Sequence, residues 1–71
     1  MRLLNPDTSS DDYQGCDRLW DEDSDDVLVQ LRPASAADHG AILPNYIPDG
    51  EILARVSKAA LLEAARNLGL A

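Results

Sequence analysis

"LWDEDSDDVLVQL", residues 19–31, sets six acidic or hydroxyl residues in a row, 21–26, between two apolar segments. The run reads as a metal loop, as an imitation of a nucleic acid backbone, or as the solvated tip of a hairpin. A calcium loop of the EF-hand type wants oxygen ligands at positions 1, 3 and 5, glycine at 6 and a bidentate glutamate at 12. Counting from Asp21, the first three requirements are met by Asp21, Asp23 and Asp25, but position 6 is Asp26 and position 12 is Arg32. The two positions that make the loop specific both fail, so no metal site is expected. The hairpin remains. "VLVQLR" is β-branched and alternating, "CDRLW" is short and apolar-aromatic, and the acidic run has the length and polarity of a strand connection.

Within the second strand of that hairpin, Val27, Val29 and Leu31 share one face and Leu28, Gln30 and Arg32 the other, and the first set is expected to face the core. Pro33 has no N–H for a ladder, so it closes the strand or sits at an edge. On the first strand, register decides whether Leu19 or Trp20 turns inward, because a slip of one residue exchanges the faces. The size of Trp20 favours it as the buried residue. Exposed instead, Trp20 would join Leu28 and Leu53 in an apolar patch of the kind that binds partners.

Upstream, residues 1–14 are polar, rich in Asp and Ser, with Leu3, Leu4 and Tyr13 as their substantial apolar groups. They read as a flexible acidic arm, and residues 15–71 as a single small domain. Downstream, "ASAADHG" offers Ser35 and Asp38 at capping-box spacing and predicts one helical turn ending at Gly40. "AILPNYIPDG" reads as a loop carrying Ile42, Leu43, Tyr46 and Ile47, punctuated by Pro44 and closed by a Pro48-Asp49-Gly50 turn. A third strand is expected near residues 51–56, with Ile52, Ala54 and Val56 inward. Ser57 then caps a helix "KAALLEAARNL" that stops at Gly69. Leu61, Leu62, Ala65 and Leu68 lie on one stripe of that helix, which marks it as amphipathic. Arg66 stands near the C-terminus, where a cation is favoured, and Lys58 in the first turn, where it is not. Ala59, Ala60, Ala64 and Ala65 are good helix formers and also permit close approach of a neighbour. The expected fold is α+β: a small three-stranded, mostly antiparallel sheet, made of the hairpin plus the third strand, with one C-terminal amphipathic helix.

The chain has 71 residues and a formal charge of −7, from 13 acidic and 6 basic side chains. A chain this short buries a modest fraction of its surface and is marginally stable alone, so disulfides, metals or partners commonly support such domains. Cys16 is the single cysteine, which excludes an intrachain disulfide and fits a reducing cytoplasm. No window approaches the roughly 20 apolar residues of a membrane span, and Asn5, Pro6 and Asp7 interrupt the start before a secretory apolar region could form. The basic residues Arg2, Arg18, Arg32, Arg55, Lys58 and Arg66 are scattered, so direct contact with nucleic acid is not expected. A protein with a basic surface would be drawn in by the acidic field, and a second copy of the chain is another candidate partner.

Catalysis finds little material. His39 is the only imidazole and Cys16 the only thiol; neither a nucleophile elbow, a phosphate loop nor a zinc helix motif is present. His39 reads as a turn residue beside Gly40, and Cys16 as a small apolar group at a strand start. The chain is expected to be non-enzymatic, with no catalytic, cofactor-binding or metal-binding residues.

The order of elements resembles the small actinomycete regulatory proteins of the BldB type and similar short hypothetical proteins. The likeness is carried by Cys16-Asp17-Arg18-Leu19-Trp20, by Asp26-Val27-Leu28-Val29-Gln30, and by Ile52-Leu53-Ala54-Arg55-Val56-Ser57 with the helix after it, over residues 16–68. The resemblance implies a homo-oligomerising, non-enzymatic protein that works with a helix-turn-helix regulator, often in an antitoxin-like gene pair. The chain departs from that pattern by inserting "PASAADHGAILPNYIPDG" where a short turn usually follows the second strand.

The leading expectation is therefore a cytoplasmic protein-interaction module, antitoxin-like or regulatory. Trp20, Leu28 and Leu53 would supply its contacts, and Asp21, Asp23, Asp25 and Asp26 its charge complementarity. An acidic inhibitor that mimics nucleic acid is the second reading. It needs Asp11, Asp12, Asp17, the acidic run, Asp38 and Asp49 lined up on one surface, as phosphates line a duplex. A small structural subunit of a larger assembly is the third.

Overall fold

The computed structural model describes residues 1–9, 17–42 and 47–71. In chain order the elements are β1 (Arg2–Leu3), β2 (Arg18–Asp21), β3 (Val27–Gln30), β4 (Arg32–Pro33), α1 (Ala36–Ala41), β5 (Ala54–Arg55) and α2 (Lys58–Asn67). The fold is α+β, with an antiparallel sheet ordered β1-β2-β3, a second antiparallel pair β4-β5, and the C-terminal helix packed on β2.

The hairpin forms as its sequence predicts. Leu19 stands opposite Val29 and Trp20 opposite Leu28, with residues 22–26 as the connection. Two local devices shape the tip. Asp21 Oδ1 accepts the Asp23 N–H at 2.9 Å, and Ser24 Oγ accepts the Asp26 N–H at 3.1 Å. Asp23 adopts φ +60°, a left-handed conformation that Asp tolerates better than most residues because its short side chain bonds locally.

The helices are capped as expected. Ser57 Oγ accepts the Ala60 N–H at 3.1 Å at the start of α2. At its end, Leu70 N–H reaches Ala65 C=O at 2.8 Å and Gly69 N–H reaches Arg66 C=O at 3.0 Å, with Gly69 at φ +76°. This pair of bonds is a Schellman motif, and glycine occupies its left-handed position without a Cβ clash. Ser35 and Asp38 form the reciprocal capping box of α1. The loop turn is present too, with Glu51 N–H bonded to Pro48 C=O at 3.0 Å, so Pro48 takes the first turn position.

Five expectations are corrected. The strand that completes the hairpin sheet is β1, with Leu3 opposite Trp20, whereas Ala54–Arg55 pairs with β4 in a sheet of its own. After Gln30 the chain leaves β2 and takes a new partner, which separates the third-strand candidate from the hairpin. Pro33 is accommodated because the bond beside it runs from Ala34 N–H to Leu53 C=O at 3.1 Å, leaving the proline nitrogen outside the ladder.

Residues 2–5 of the expected arm are part of the fold, since Leu4 and Asn5 are fully buried. The core is Leu4, Leu19, Ala60 and Ala64, with Val56 and Leu68 packed against it. Leu19 rather than Trp20 is therefore the buried residue of β2, and Trp20 is half-buried. On α2 the buried stripe is Ala60, Ala64 and, partly, Leu68, while Leu61 and Leu62 are exposed. Small residues on that stripe let the helix lie close to β2 and to the residues just after β1, where Leu19 and Leu4 fill the gap. Finally, all four residues of β3 are exposed, so its expected core face is not covered. Cys16, Tyr13, Leu43, Pro44 and Tyr46 lie outside the described residues.

Candidate functional site

Polar groups that the sequence reading passed over hold the scaffold of the site. Asn5 acts as a side-chain strand: its Nδ2 donates to Asp17 C=O at 2.7 Å and its Oδ1 accepts the Leu19 N–H at 2.9 Å. Glu63 of α2 accepts three bonds from the adjoining turn, from Asp7 N–H, Thr8 N–H and the Thr8 hydroxyl, at 2.7–3.0 Å. Asn67 donates to Leu4 C=O at 2.7 Å. Arg2 reaches both Asp21 and the Asn67 carbonyl at the helix C-terminus, where a cation is favoured. The legible signal was Asn5-Pro6, a turn-initiating pair, and the Thr8 N–H to Asn5 C=O bond is that turn. The contacts to Glu63 and Asn67 had no signal in local sequence.

Asp17 ties three elements together. Its carboxylate is buried, accepts two bonds from the Arg32 guanidinium at 3.2 Å each, and accepts the Ser57 N–H at 2.7 Å. Burial alone would raise its pKa; the bonds from Arg32 and Ser57 outweigh that and hold it below the usual carboxylate range. Asp38 is held low chiefly by the Arg55 guanidinium and then by the Ser35 N–H. Asp21 is held low chiefly by the Asp23 N–H, which works against burial, and Arg2 adds to the lowering. For Glu63, burial opposes ionisation, and the Thr8 hydroxyl with the N–H groups of Asp7 and Thr8 prevails. These carboxylates are structural members, each engaged by donors, and none is poised to take a proton near neutrality.

The residues expected to bind a partner fall into two groups. Trp20 and Leu28 are brought together on the sheet face away from α2, in a cross-strand row with Leu3. Asp21 begins the tip as a half-buried ion-pair partner of Arg2, and Asp23, Asp25 and Asp26 are exposed on it. Leu53 is not part of that face. It lies half-buried in a separate open groove of about 740 Å³, lined by Val29, Leu31, His39, Ile47, Ile52 and Leu53 among others. The division follows from the pairing of Ala54–Arg55 with β4.

Exposed apolar area gathers on β3 and around that groove. Val27 is 36%, Leu28 48% and Val29 49% exposed, and Ile52 is 86% exposed. Among the described residues no cluster of three carboxylate, imidazole or thiol groups could hold a metal. His39 stands on the groove wall, and Cys16 lies outside the described residues. No described helix is long and apolar enough to cross a membrane. No family model, curated protein or solved structure matches the chain.

Proposed function

We propose that the chain is a small acidic protein-interaction module, regulatory or antitoxin-like, which works in the cytoplasm without catalytic activity of its own by occupying the surface of a partner protein. The reading is carried by β3: three apolar residues in a row, each more than a third exposed, at the rim of a sheet whose helix packs on the central strand. Small domains with a short core gain stability when such area is buried by a partner. Trp20 and Leu28 supply the large side chains of the contact, and the acidic tip speeds encounter with a basic partner. The BldB-type resemblance points to the same class.

The nucleic-acid mimic draws less support. A mimic needs unpaired carboxylates spread over a surface, whereas Asp17, Asp21 and Asp38 are each paired with an arginine. Of the carboxylates that reading invokes, the exposed ones left are Glu22, Asp23, Asp25 and Asp26 on the hairpin tip and Asp49 in the loop, while Asp11 and Asp12 lie outside the described residues.

Affinity capture from the source cytosol at low salt and at about 0.5 M salt separates the two, because surface charge contacts are strongly screened at the higher value. A module of this kind keeps its partner at high salt and loses it with Trp20→Ala or Leu28→Asp. Capture of a nucleic-acid-handling protein at low salt only, abolished by neutralising Asp23, Asp25 and Asp26, would sink the reading in favour of mimicry.

A further inference from the structure

The hydrogen-bond geometry of the sheet fixes which backbone groups of β3 face outward. Leu4 N–H donates to Leu19 C=O at 2.8 Å, and Leu19 N–H donates to the Asn5 side chain at 2.9 Å, so Leu19 turns both polar backbone groups toward β1. Along an antiparallel strand these directions alternate. Trp20 therefore faces β3, its partner Leu28 faces back, and Val27 and Val29 turn their N–H and C=O groups outward from the sheet. No described strand lies beyond them.

Natural sheet edges are commonly blunted by charge, proline or a bulge. Val27–Gln30 carries neither charge nor proline, pairs in continuous register with β2, and is exposed throughout. We propose that the partner docks by adding a strand to this edge, bonding to the backbone of Val27 and Val29, and that the added strand carries lysine or arginine at the end lying beside the acidic tip. Such docking draws its affinity from main-chain bonds and its specificity from flanking side chains.

The basic character follows from charge. Glu22, Asp23, Asp25 and Asp26 are exposed where the incoming strand must pass, on a chain of net charge −7. A second copy carries the same net charge of −7, so long-range repulsion discourages self-pairing while a basic strand is attracted. This docking mode deepens the interaction-module reading and presupposes it.

The test uses the full chain and a labelled synthetic peptide of alternating Val and Thr with lysines at one end, together with its counterpart carrying glutamates. The lysine peptide is expected to bind about tenfold or more tightly than the glutamate peptide at low salt. N-methylation of alternate peptide nitrogens should abolish binding in one phase of the alternation and spare it in the other. On the protein, Val29→Pro removes an outward N–H without touching the β2 ladder. It should keep the wild-type melting temperature and weaken binding about tenfold, while Val29→Thr should bind like wild type.

Equal binding of both N-methylated series, or wild-type affinity in Val29→Pro, overturns strand addition. If Trp20→Ala then still abolishes high-salt capture of the cytosolic partner, the module reading survives and only the edge is wrong. Loss of both signals removes the two together. Concentration-dependent sedimentation that Val29→Pro suppresses would overturn the basic occupant in favour of a second copy.

Discussion

β1 and β3 flank the same central strand and have opposite fates. β1 is two residues long, sits in a polar segment, and leads into fully buried Leu4 and Asn5. β3 has twice the length and the better β-forming composition, yet every residue in it is exposed. Hydrophobicity of the strand does not explain the difference. The helix does: α2 packs on β2 and on the segment that follows β1, because Glu63 and Asn67 bond to Thr8 and Leu4 there and because Ala60 and Ala64 allow close approach. Burial in so small a domain is decided by which flank the single long helix is pinned to, and polar side chains do the pinning.

The sharpest way to break this contrast is to remove the side chain at the centre of the covered flank. Leu4→Ala should cost about 2–5 kcal/mol, the usual range for truncating a fully buried leucine, read as a fall in urea midpoint. Natural domains are stable by only about 5–15 kcal/mol, so a loss of this size lowers the melting temperature markedly. A loss under about 1 kcal/mol would mean that the N-terminal segment contributes little to the fold.

Asn5→Ala is next. It leaves the Asp17 carbonyl and the Leu19 N–H without the partners they have at 2.7 and 2.9 Å. Unsatisfied buried groups cost about 1–3 kcal/mol each, so a loss of at least about 2 kcal/mol is expected. Amide exchange would locate it, with faster exchange at Leu19 than at Leu28.

The covered flank also sets the pH response. Asp17, Asp21, Asp38 and Glu63 all have folded pKa values below their ordinary ones. A group of this kind stabilises the fold fully above its unfolded pKa, and that contribution is lost as pH falls through the lowered folded value. Unfolded carboxylates titrate near about 4. The melting temperature should therefore hold from neutral pH to about 5 and fall below about 4. Asp17→Asn should flatten part of that fall, since the variant has no proton to gain at this position. Relief of charge repulsion at the exposed tip acts in the opposite direction, so a melting temperature that rises on acidification would show that self-repulsion outweighs these bonds.

Local sequence made much of the fold legible. Ser57, Gly69, the Ser35–Asp38 box and the acidic connection all act within a few residues of themselves, where side-chain chemistry and turn geometry suffice. The α+β class and the presence of the hairpin follow from the same scale, whereas its facing does not: the size of Trp20 points to the wrong residue, and Leu19 is the buried one. What was not legible depends on long-range contacts: Asn5 to residues 17 and 19, Thr8 to Glu63, and Asp17 to Arg32 and Ser57. The misread stripe on α2 has the same origin. Leu61 and Leu62 are the more apolar choice, but the close approach that the polar bonds impose admits alanine at the contact. Of the candidate site, Trp20 and Leu28 were correctly placed together, and Leu53 was misplaced because the change of strand partner after Gln30 is not encoded by alternation.

The smallest effect is expected on the uncovered flank, and it sharpens the comparison most. Leu28 is 48% exposed and stands opposite Trp20 on the face away from the helix. Leu28→Thr keeps a β-forming residue while removing apolar area, so its stability should stay within about 0.5 kcal/mol of wild type. High-salt capture of the partner should nevertheless fall. If stability falls with it by the amount expected for Leu4→Ala, then β3 is a folding element whose exposure is incidental. If capture alone falls, stability and recognition are carried by opposite edges of one three-stranded sheet, and the bare strand beside the acidic tip is the one that meets the partner.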